Sequence, residues 1–296
     1  MMWKKLRIHI VTLSRPFAIP FFGGGALIGS LLASGTLSEL NTWLGFIAVS
    51  LLMAYGHSQN SFWDWKAGLD TTEGGSIGKC YTAGCRPIPD GLCSPKEVVA
   101  NSAIFAFLGL IVCGIIAMRV GSYIFIPAIV SLFIPYLYTR GKFSWYHELM
   151  LASGVVVAVL LGAMSTGTGN YLKSMLVAIP ISIIFSFAGL ALDEWPDAKA
   201  NLKKGVKSIA YKVYEYKIDL GTYLMIWFAF AYIFQTLLIS IGILKSSTAI
   251  TFVLVPVLIG CCVFLKSKVE FAKVAKAIVI AAACYPLLLL IGEVVG

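Results

Sequence analysis

Two acidic clusters stand at the ends of long apolar runs. In HSQNSFWDWKAGLDTTEGG, Asn60 and Asp64 are four residues apart, and in LDEWPDAKAN, Asp193 and Asp197 repeat that spacing. Residues i and i+4 of a helix share a face, so each cluster points two oxygen-bearing side chains in one direction. Hard divalent cations such as Mg²⁺ take oxygen ligands, commonly one or two carboxylates together with substrate phosphates. Two such pairs facing each other across a cavity would clamp metal ions onto a diphosphate. One acidic helix end is more simply the point where a helix leaves a bilayer. Two at matched positions favour chemistry, because ionisable groups at membrane depth are functional candidates.

Asp70 follows Asp64 by six residues, about 240° around a regular helix. It joins the first pair only where the chain unwinds near Gly68. Pro196 lacks a backbone donor and marks a second place where helix is expected to become loop.

A diphosphate also needs positive charge. The segment after the first cluster holds Lys66, Lys79 and Arg86, the last in CRPIPDG, and the segment after the second holds Lys199, Lys203 and Lys204. PYLYTRGKFSWYHELM supplies Tyr138, Arg140 and Lys142. Lys142 is the strongest candidate, in a short loop beside a tyrosine that can hydrogen-bond a phosphate oxygen. His57 and His147 lie in aromatic-rich segments and read as packed or interfacial residues. Glu148 reads as an acid favoured by a helix N-terminus.

The elements that must position these groups are membrane helices. The chain has 296 residues, 59% hydrophobic and only 12% charged, where soluble domains carry about 25% charged residues. Its mean hydropathy is +0.87. About 20 apolar residues cross a bilayer as a helix, and nine candidate spans are expected, at 12–34, 43–63, 98–118, 121–138, 149–166, 173–192, 221–243, 247–265 and 274–294. MMWKKLRIHI is basic, but the apolar run after it has no A-x-A-like cleavage site and reads as the first span. With the N-terminus in the cytoplasm, 19 Lys and Arg fall on cytoplasmic segments against three on outer ones, as the positive-inside rule requires. Both acidic clusters then sit at the cytoplasmic ends of their helices, after spans two and six. That offset suggests two pseudo-repeated four-helix units plus a ninth helix. The net charge of +9 forms no extended stripe, which argues against nucleic acid. Cys113, Cys261, Cys262 and Cys284 lie in apolar runs as small core residues, and Cys80, Cys85 and Cys93 match no common zinc spacing.

NSFWDWKAGLD, then RPIPDG, then DEWPD about 130 positions after the first cluster resemble the UbiA superfamily of intramembrane prenyltransferases. SRPFAIP resembles that family's Arg-Pro entry into its first helix. YTRGKFSWYHELM and GTGNYL resemble the branch of 1,4-dihydroxy-2-naphthoate (menaquinone-pathway) prenyltransferases. The resemblance runs from about residue 12 to 205 in ordered pieces. There are departures: Gly68 stands where the family often has a second Asp, with Asp70 displaced by two. His147 and Glu148 stand where the branch commonly has Gly and an acid.

The resemblance implies an all-α integral membrane protein: nine transmembrane helices around a central cavity, in one polytopic domain over 1–296, with motif loops at 60–97 and 193–217. It implies a Mg²⁺-dependent prenyltransferase that moves an isoprenyl group from an allylic polyprenyl diphosphate to an aromatic quinone precursor. Two Mg²⁺ ions are implied, one on Asn60, Asp64 and Asp70, the other on Asp193 and Asp197. Asn60, Lys66, Arg86, Tyr138 and Lys142 would bind the diphosphate, with Asp64, Asp193, Tyr138 and Lys142 catalytic. Phe62, Trp63 and Tyr138 would face an allylic cation. The protein would lie in the cell membrane as a multi-pass chain, its N-terminus and active-site loops cytoplasmic, with the lipid bilayer as partner and no nucleic acid. One alternative changes the acceptor to a glycerol-phosphate lipid, as in ether-lipid synthesis. A transporter is a different class, but its acids would lie mid-span, not at helix ends.

Overall fold

The computed structural model describes residues 6–70, 86–144, 146–169, 171–266 and 271–296, and the regular structure among them is helical. In chain order the elements are α1 (Ile8–Ser34), α2 (Leu40–Lys66), α3 (Pro95–Val120), α4 (Ser122–Gly141), α5 (His147–Ser165) and α6 (Tyr171–Glu194). Two short helices follow, α7 (Ala198–Lys203) and α8 (Ile209–Glu215). The last three are α9 (Leu220–Ser240), α10 (Ser246–Leu265) and α11 (Phe271–Val295). Among the described residues, eight helices are long and apolar enough to cross a membrane. They coincide with eight of the nine expected spans. The remaining one, α2, has 27 residues, ample length, but its second half is polar and it is not among the eight.

That polarity has a packing reason. Asn101 Nδ2 on α3 donates to Ser58 Oγ at 3.0 Å, and Gln59 Nε2 donates to Ser102 Oγ at 2.8 Å. Tyr55 OH donates to the Leu132 carbonyl on α4 at 2.7 Å. The polar residues of α2 thus meet partners on α3 and α4, and buried polar groups are stable when so paired. Elsewhere the bundle is closed by small residues. A Cβ on Gly29 of α1 would lie 2.1 Å from the Val159 carbonyl oxygen of α5, and one on Gly162 would lie 2.1 Å from that of Ala26. Only glycine permits this backbone approach, a device of membrane helix packing. The outer faces carry Phe107, Phe133, Ile233 and Phe264 exposed, an apolar exterior suited to lipid.

Helix starts follow local chemistry. α3 opens with a capping box, the Ser94 backbone donating to Glu97 at 2.7 Å and Glu97 donating back to Ser94 Oγ at 3.3 Å, with Pro95 in the first turn. α9 opens on Asp219, which accepts from Thr222 N at 2.7 Å.

Two departures from regular helix frame the site. α6 turns π-helical over Ile183–Gly189, just before the second acidic cluster. π-segments rephase the face that follows and concentrate at functional sites. Pro196 does not convert helix into loop as expected. It sits in a 3-10 turn, Trp195–Asp197, that runs directly into α7. Proline is tolerated there because the first turn of a helix needs no backbone donor from it.

Candidate active site

The ends of α2, α4 and α6 meet at one end of the bundle. Asp64, on the last turn of α2, is buried and is a hub. It accepts from Asn60 Nδ2 at 3.0 Å, from Thr139 Oγ1 at 3.0 Å and from Lys142 Nζ at 2.8 Å. The i, i+4 spacing of Asn60 and Asp64 therefore works as the sequence suggests. Thr139, one residue past Tyr138 on α4, is a partner that sequence reasoning missed. Burial pushes the Lys142 ammonium down, but the carboxylates of Asp64 and Glu194 more than offset this and hold it above the ordinary lysine value. It stays charged at neutral pH.

Asp70 reaches the same place by a backbone turn. Gly68 adopts φ +70, a left-handed conformation that glycine accepts without strain. The chain then folds back, and the amides of Leu69 and Asp70 both donate to the Asp64 carbonyl, at 2.9 and 3.3 Å. Burial, and next the charge of Asp64, raise the Asp70 carboxyl to about 7. Lys142, Arg15 and Arg86 pull it back in part. Arg86 is buried and acts on this carboxylate.

The Asp70 shift sets a pH dependence. Between its ordinary value of 3.8 and about 7, the folded protein holds a proton that the unfolded chain has released. Stability that depends on this group is greatest at low pH and is lost as pH rises through that window. The unfolding free energy of metal-free protein should therefore fall more between pH 4 and 7 than that of Asp70→Asn, by on the order of a few kcal/mol. Parallel curves for the two proteins would show that the charge of Asp64 does not hold a proton on Asp70.

A cavity opens beneath this hub. Arg15, His57, Asn60, Tyr138 and Asp193 line it, with Phe17, Phe21, Phe22 and Phe185 on its apolar walls. It encloses about 1300 Å³ of empty space, its open mouth included. Asn60 and Asp193, one from each acidic cluster, thus face one cavity. Asn60 Oδ1 is buried and has no hydrogen-bond partner among the described residues. Arg15 sits at φ +47, the left-handed region that residues other than glycine rarely adopt. Its Nε is likewise buried and unpartnered among the described residues.

Other expected groups lie elsewhere. Lys66 is exposed and stands 5.0 Å over the Trp63 ring, outside the cavity. Trp63 packs edge-on against Tyr136 with centroids 5.0 Å apart. Phe62 packs on a cluster of Leu13, Cys93 and Val98. Neither aromatic lines the cavity, and the Phe residues of α1 and α6 take that place. A helix alternates its faces, so residues beside Asp64 in sequence point away from it. The Asp197 side chain, Lys79, Cys80 and Cys85 lie outside the described residues.

A second buried polar cluster adjoins the hub. His147, Glu148 and Glu194 are 0%, 2% and 6% exposed. His147 Nε2 lies 3.0 Å from Glu194 Oε1, and Nδ1 lies 3.8 Å from Glu148 Oε2. The other carboxylate oxygens hold the start of α8: Ser208 Oγ donates to Glu194 Oε2 at 2.7 Å, and the Ile209 amide donates to Glu148 Oε1. The Tyr138 ring packs edge-on against His147 with centroids 4.6 Å apart, and Lys142 Nζ stands 5.0 Å over Tyr138. Lys204 Nζ donates to the Leu69 carbonyl at 2.8 Å, and Lys207 N to the Lys142 carbonyl at 2.8 Å. The segment after the second cluster is thereby tied across both the first cluster and the α4–α5 loop, forming a cap. Glu194 thus faces the cap while its neighbour Asp193 faces the cavity. The reading of His147 as a packed residue misses its two glutamates, one of them 47 positions away.

Residues 19–282 match the UbiA prenyltransferase family. The chain belongs to that family. A search of curated proteins finds no match. Among solved structures, this prenyltransferase is similar to the apo form of a UbiA homologue from Aeropyrum pernix K1, with 17% identity, coverage of 95% of this chain and 98% of that one, and TM-score 0.73. It is also similar to a UbiA homologue from Archaeoglobus fulgidus bound to DMAPP and Mg²⁺, with 16% identity, coverage of 97% and 99%, and TM-score 0.58. A digeranylgeranylglyceryl phosphate synthase is a third, with 21% identity, coverage of 99% of each chain and TM-score 0.58. The family resemblance in the sequence is therefore correct, and the multi-pass, all-helical architecture of this prenyltransferase goes with it.

Proposed function

We propose that this prenyltransferase moves an isoprenyl group from an allylic polyprenyl diphosphate to an aromatic, quinone-precursor acceptor inside the cell membrane, with Mg²⁺ as cofactor and the site at the cytoplasmic face. The observation that carries this is the Asp64 hub. A buried carboxylate at Asp64, an Asn60 Oδ1 beside it that has no partner among the described residues, a half-buried carboxylate at Asp70, and Asp193 on the cavity that Asn60 also lines make an oxygen-rich donor set. That set fits a hard divalent cation. Asn60, Asp64 and Asp70 would hold one ion, and Asp193 with Asp197 another. Such ions, when bound, neutralise the charge that builds on a leaving diphosphate. A similar protein bound to DMAPP and Mg²⁺ supports the choice of donor and cation.

The chain's own residues do the rest. Lys142 can turn from Asp64 toward a diphosphate oxygen once that carboxylate is otherwise engaged, and Arg86 adds a second positive charge. As the C1–O bond of the donor breaks, its electron pair leaves with the diphosphate, where Lys142 and Arg86 meet it. The cationic allyl group faces the Tyr138 ring in a cavity whose Phe-lined walls keep water out. A ring carbon of the acceptor then bonds to C1 and releases its proton. The apolar cavity takes the prenyl tail, which explains why the enzyme is built in a membrane.

A glycerol-phosphate lipid acceptor is the second reading, favoured by the similarity to digeranylgeranylglyceryl phosphate synthase. Purified protein with labelled geranyl diphosphate, Mg²⁺ or EDTA, and a panel holding both acceptor classes separates them. Mg²⁺-dependent label transfer to 1,4-dihydroxy-2-naphthoate or a related phenol is expected. Transfer only to the glycerol phosphate would overturn the aromatic reading, and no donor use under any condition would overturn both.

A further inference from the structure

We propose that His57 selects the acceptor, its imidazole Nε2 forming a hydrogen bond with a ring hydroxyl of the aromatic substrate. This rests on the prenyl-transfer reading above. His57 lies on α2 three residues before Asn60 and seven before Asp64. That places it on the same helix face, about 4.5 Å and about 10 Å deeper along the axis. Its side chain lines the same cavity. The donor's C1 hangs from a diphosphate held at the level of Asn60 and Asp64. A reacting carbon must come within about 3–3.5 Å of it, so the acceptor ring lies at the depth of His57.

Three observations give that position a chemistry. First, His57 Nε2 is buried and has no hydrogen-bond partner among the described residues. Such an orphan is costly to leave buried, and beside a cavity it marks where a ligand atom completes the bond. Second, the imidazole is fixed by Phe17 and Phe22 of α1, with centroids 6.5 and 6.3 Å away and the second ring edge-on. Its polar edge is therefore held in place before any ligand arrives. Third, the deeper polar lining is sparse. Ser131 Oγ is already engaged, donating to the Ala128 carbonyl at 2.6 Å. Among the described residues that line the cavity, Arg15, His57 and Asn60 carry buried polar atoms without a partner, and Asn60 lies at the level of the hub.

The walls around His57 are the Phe17, Phe21, Phe22 and Phe185 rings. Phe21 and Phe22 both pack on Phe185, at 4.4 and 5.2 Å between centroids. An aromatic enclosure with one neutral hydrogen-bonding edge suits a flat hydroxylated ring. A glycerol phosphate at this depth would carry a dianion past these rings to a single guanidinium. The sequence offers His57 only as a packed residue, because the distance from the acidic cluster is visible but the missing partner is not.

A site built around one substrate hydroxyl discriminates strongly against an analogue lacking it. His57→Leu is expected to raise KM for the hydroxylated acceptor about 10- to 100-fold. The preference for a dihydroxylated over a dimethoxylated naphthalene should shrink toward unity. KM for geranyl diphosphate and the thermal shift produced by that donor with Mg²⁺ should stay within about twofold of the parent. His57→Gln, which keeps a polar edge, should recover part of the preference. A readout independent of turnover uses ¹⁵N-histidine-labelled protein. The imidazole resonance missing from His57→Leu should move when dihydroxynaphthalene is added and stay still with dimethoxynaphthalene. No movement with either compound, or equal loss of donor and acceptor affinity in His57→Leu, overturns the assignment. Absence of any Mg²⁺-dependent donor binding in the parent protein would instead sink the prenyl-transfer reading, and the resonance test would still decide His57.

Discussion

Replacing Asp64 with Asn should lower kcat/KM for prenyl transfer by at least about 10³-fold at saturating Mg²⁺. A cation-held leaving group is worth several kcal/mol of barrier, and each factor of ten is about 1.4 kcal/mol. The substitution keeps the shape of the side chain and an oxygen for Thr139, which donates at 3.0 Å. It removes the charge that faces Lys142 at 2.8 Å. Lys142 is only 14% exposed, so its ammonium is then left buried without its counter-ion. Breaking a buried pair from one side costs about 3–5 kcal/mol, and the single variant should melt well below the parent. Asp64→Asn combined with Lys142→Met removes both charges and should regain much of that stability while remaining inactive. The pairing of a recovered fold with absent turnover separates a catalytic carboxylate from a merely structural one. Turnover of the single variant within tenfold of the parent would end the case for Asp64 as a metal-holding group.

The same hub shows what a sequence can and cannot reveal. Asn60 and Asp64 were legible because a helix repeats every 3.6 residues, and nothing else is needed to put them on one face. Lys142 was legible as a cation in a short loop, though its contact with Asp64 spans 78 residues. Asp70 was legible only conditionally, since its place depends on the left-handed turn at Gly68. Lys66 stands apart from the hub for the same reason that Asn60 joins it: two residues past Asp64 is the opposite side of a helix, and there it meets Trp63. The helices were legible as apolar runs, α2 included at 43–63, and its polar residues such as Ser58 and Gln59 survive by bonding to α3. The Glu194 pairing with His147 was not legible. It joins α6 to the start of α5, and the π-helical stretch Ile183–Gly189 alters the phase ahead of it. Long-range pairs between single residues leave no period for a pattern to follow. The orphaned atoms of Arg15, His57 and Asn60 are legible only in three dimensions, because a missing partner is a property of the packed state.

Lys142→Met is expected to move activity and cation response in opposite directions. The thioether keeps most of the stem that covers Tyr138 and removes the ammonium. Loss of one positioned donor to developing negative charge costs about 10²–10³ in turnover, so transfer should fall by that factor. Asp64 keeps its bonds from Asn60 and Thr139 but loses its positive partner, and the metal-free variant should melt lower than the parent. Added Mg²⁺ no longer competes with an ammonium 2.8 Å away. It should therefore raise the melting temperature more in Lys142→Met than in the parent, and half of that rise should come at a lower Mg²⁺ concentration. If Lys142 serves only to neutralise Asp64 before substrate arrives, Mg²⁺ would restore turnover along with stability. Tighter Mg²⁺ binding with persistently low transfer, measured on one preparation by thermal shift and by product formation, places Lys142 on the diphosphate. Weaker Mg²⁺ binding would show that the lysine and the cation do not share the carboxylate at all.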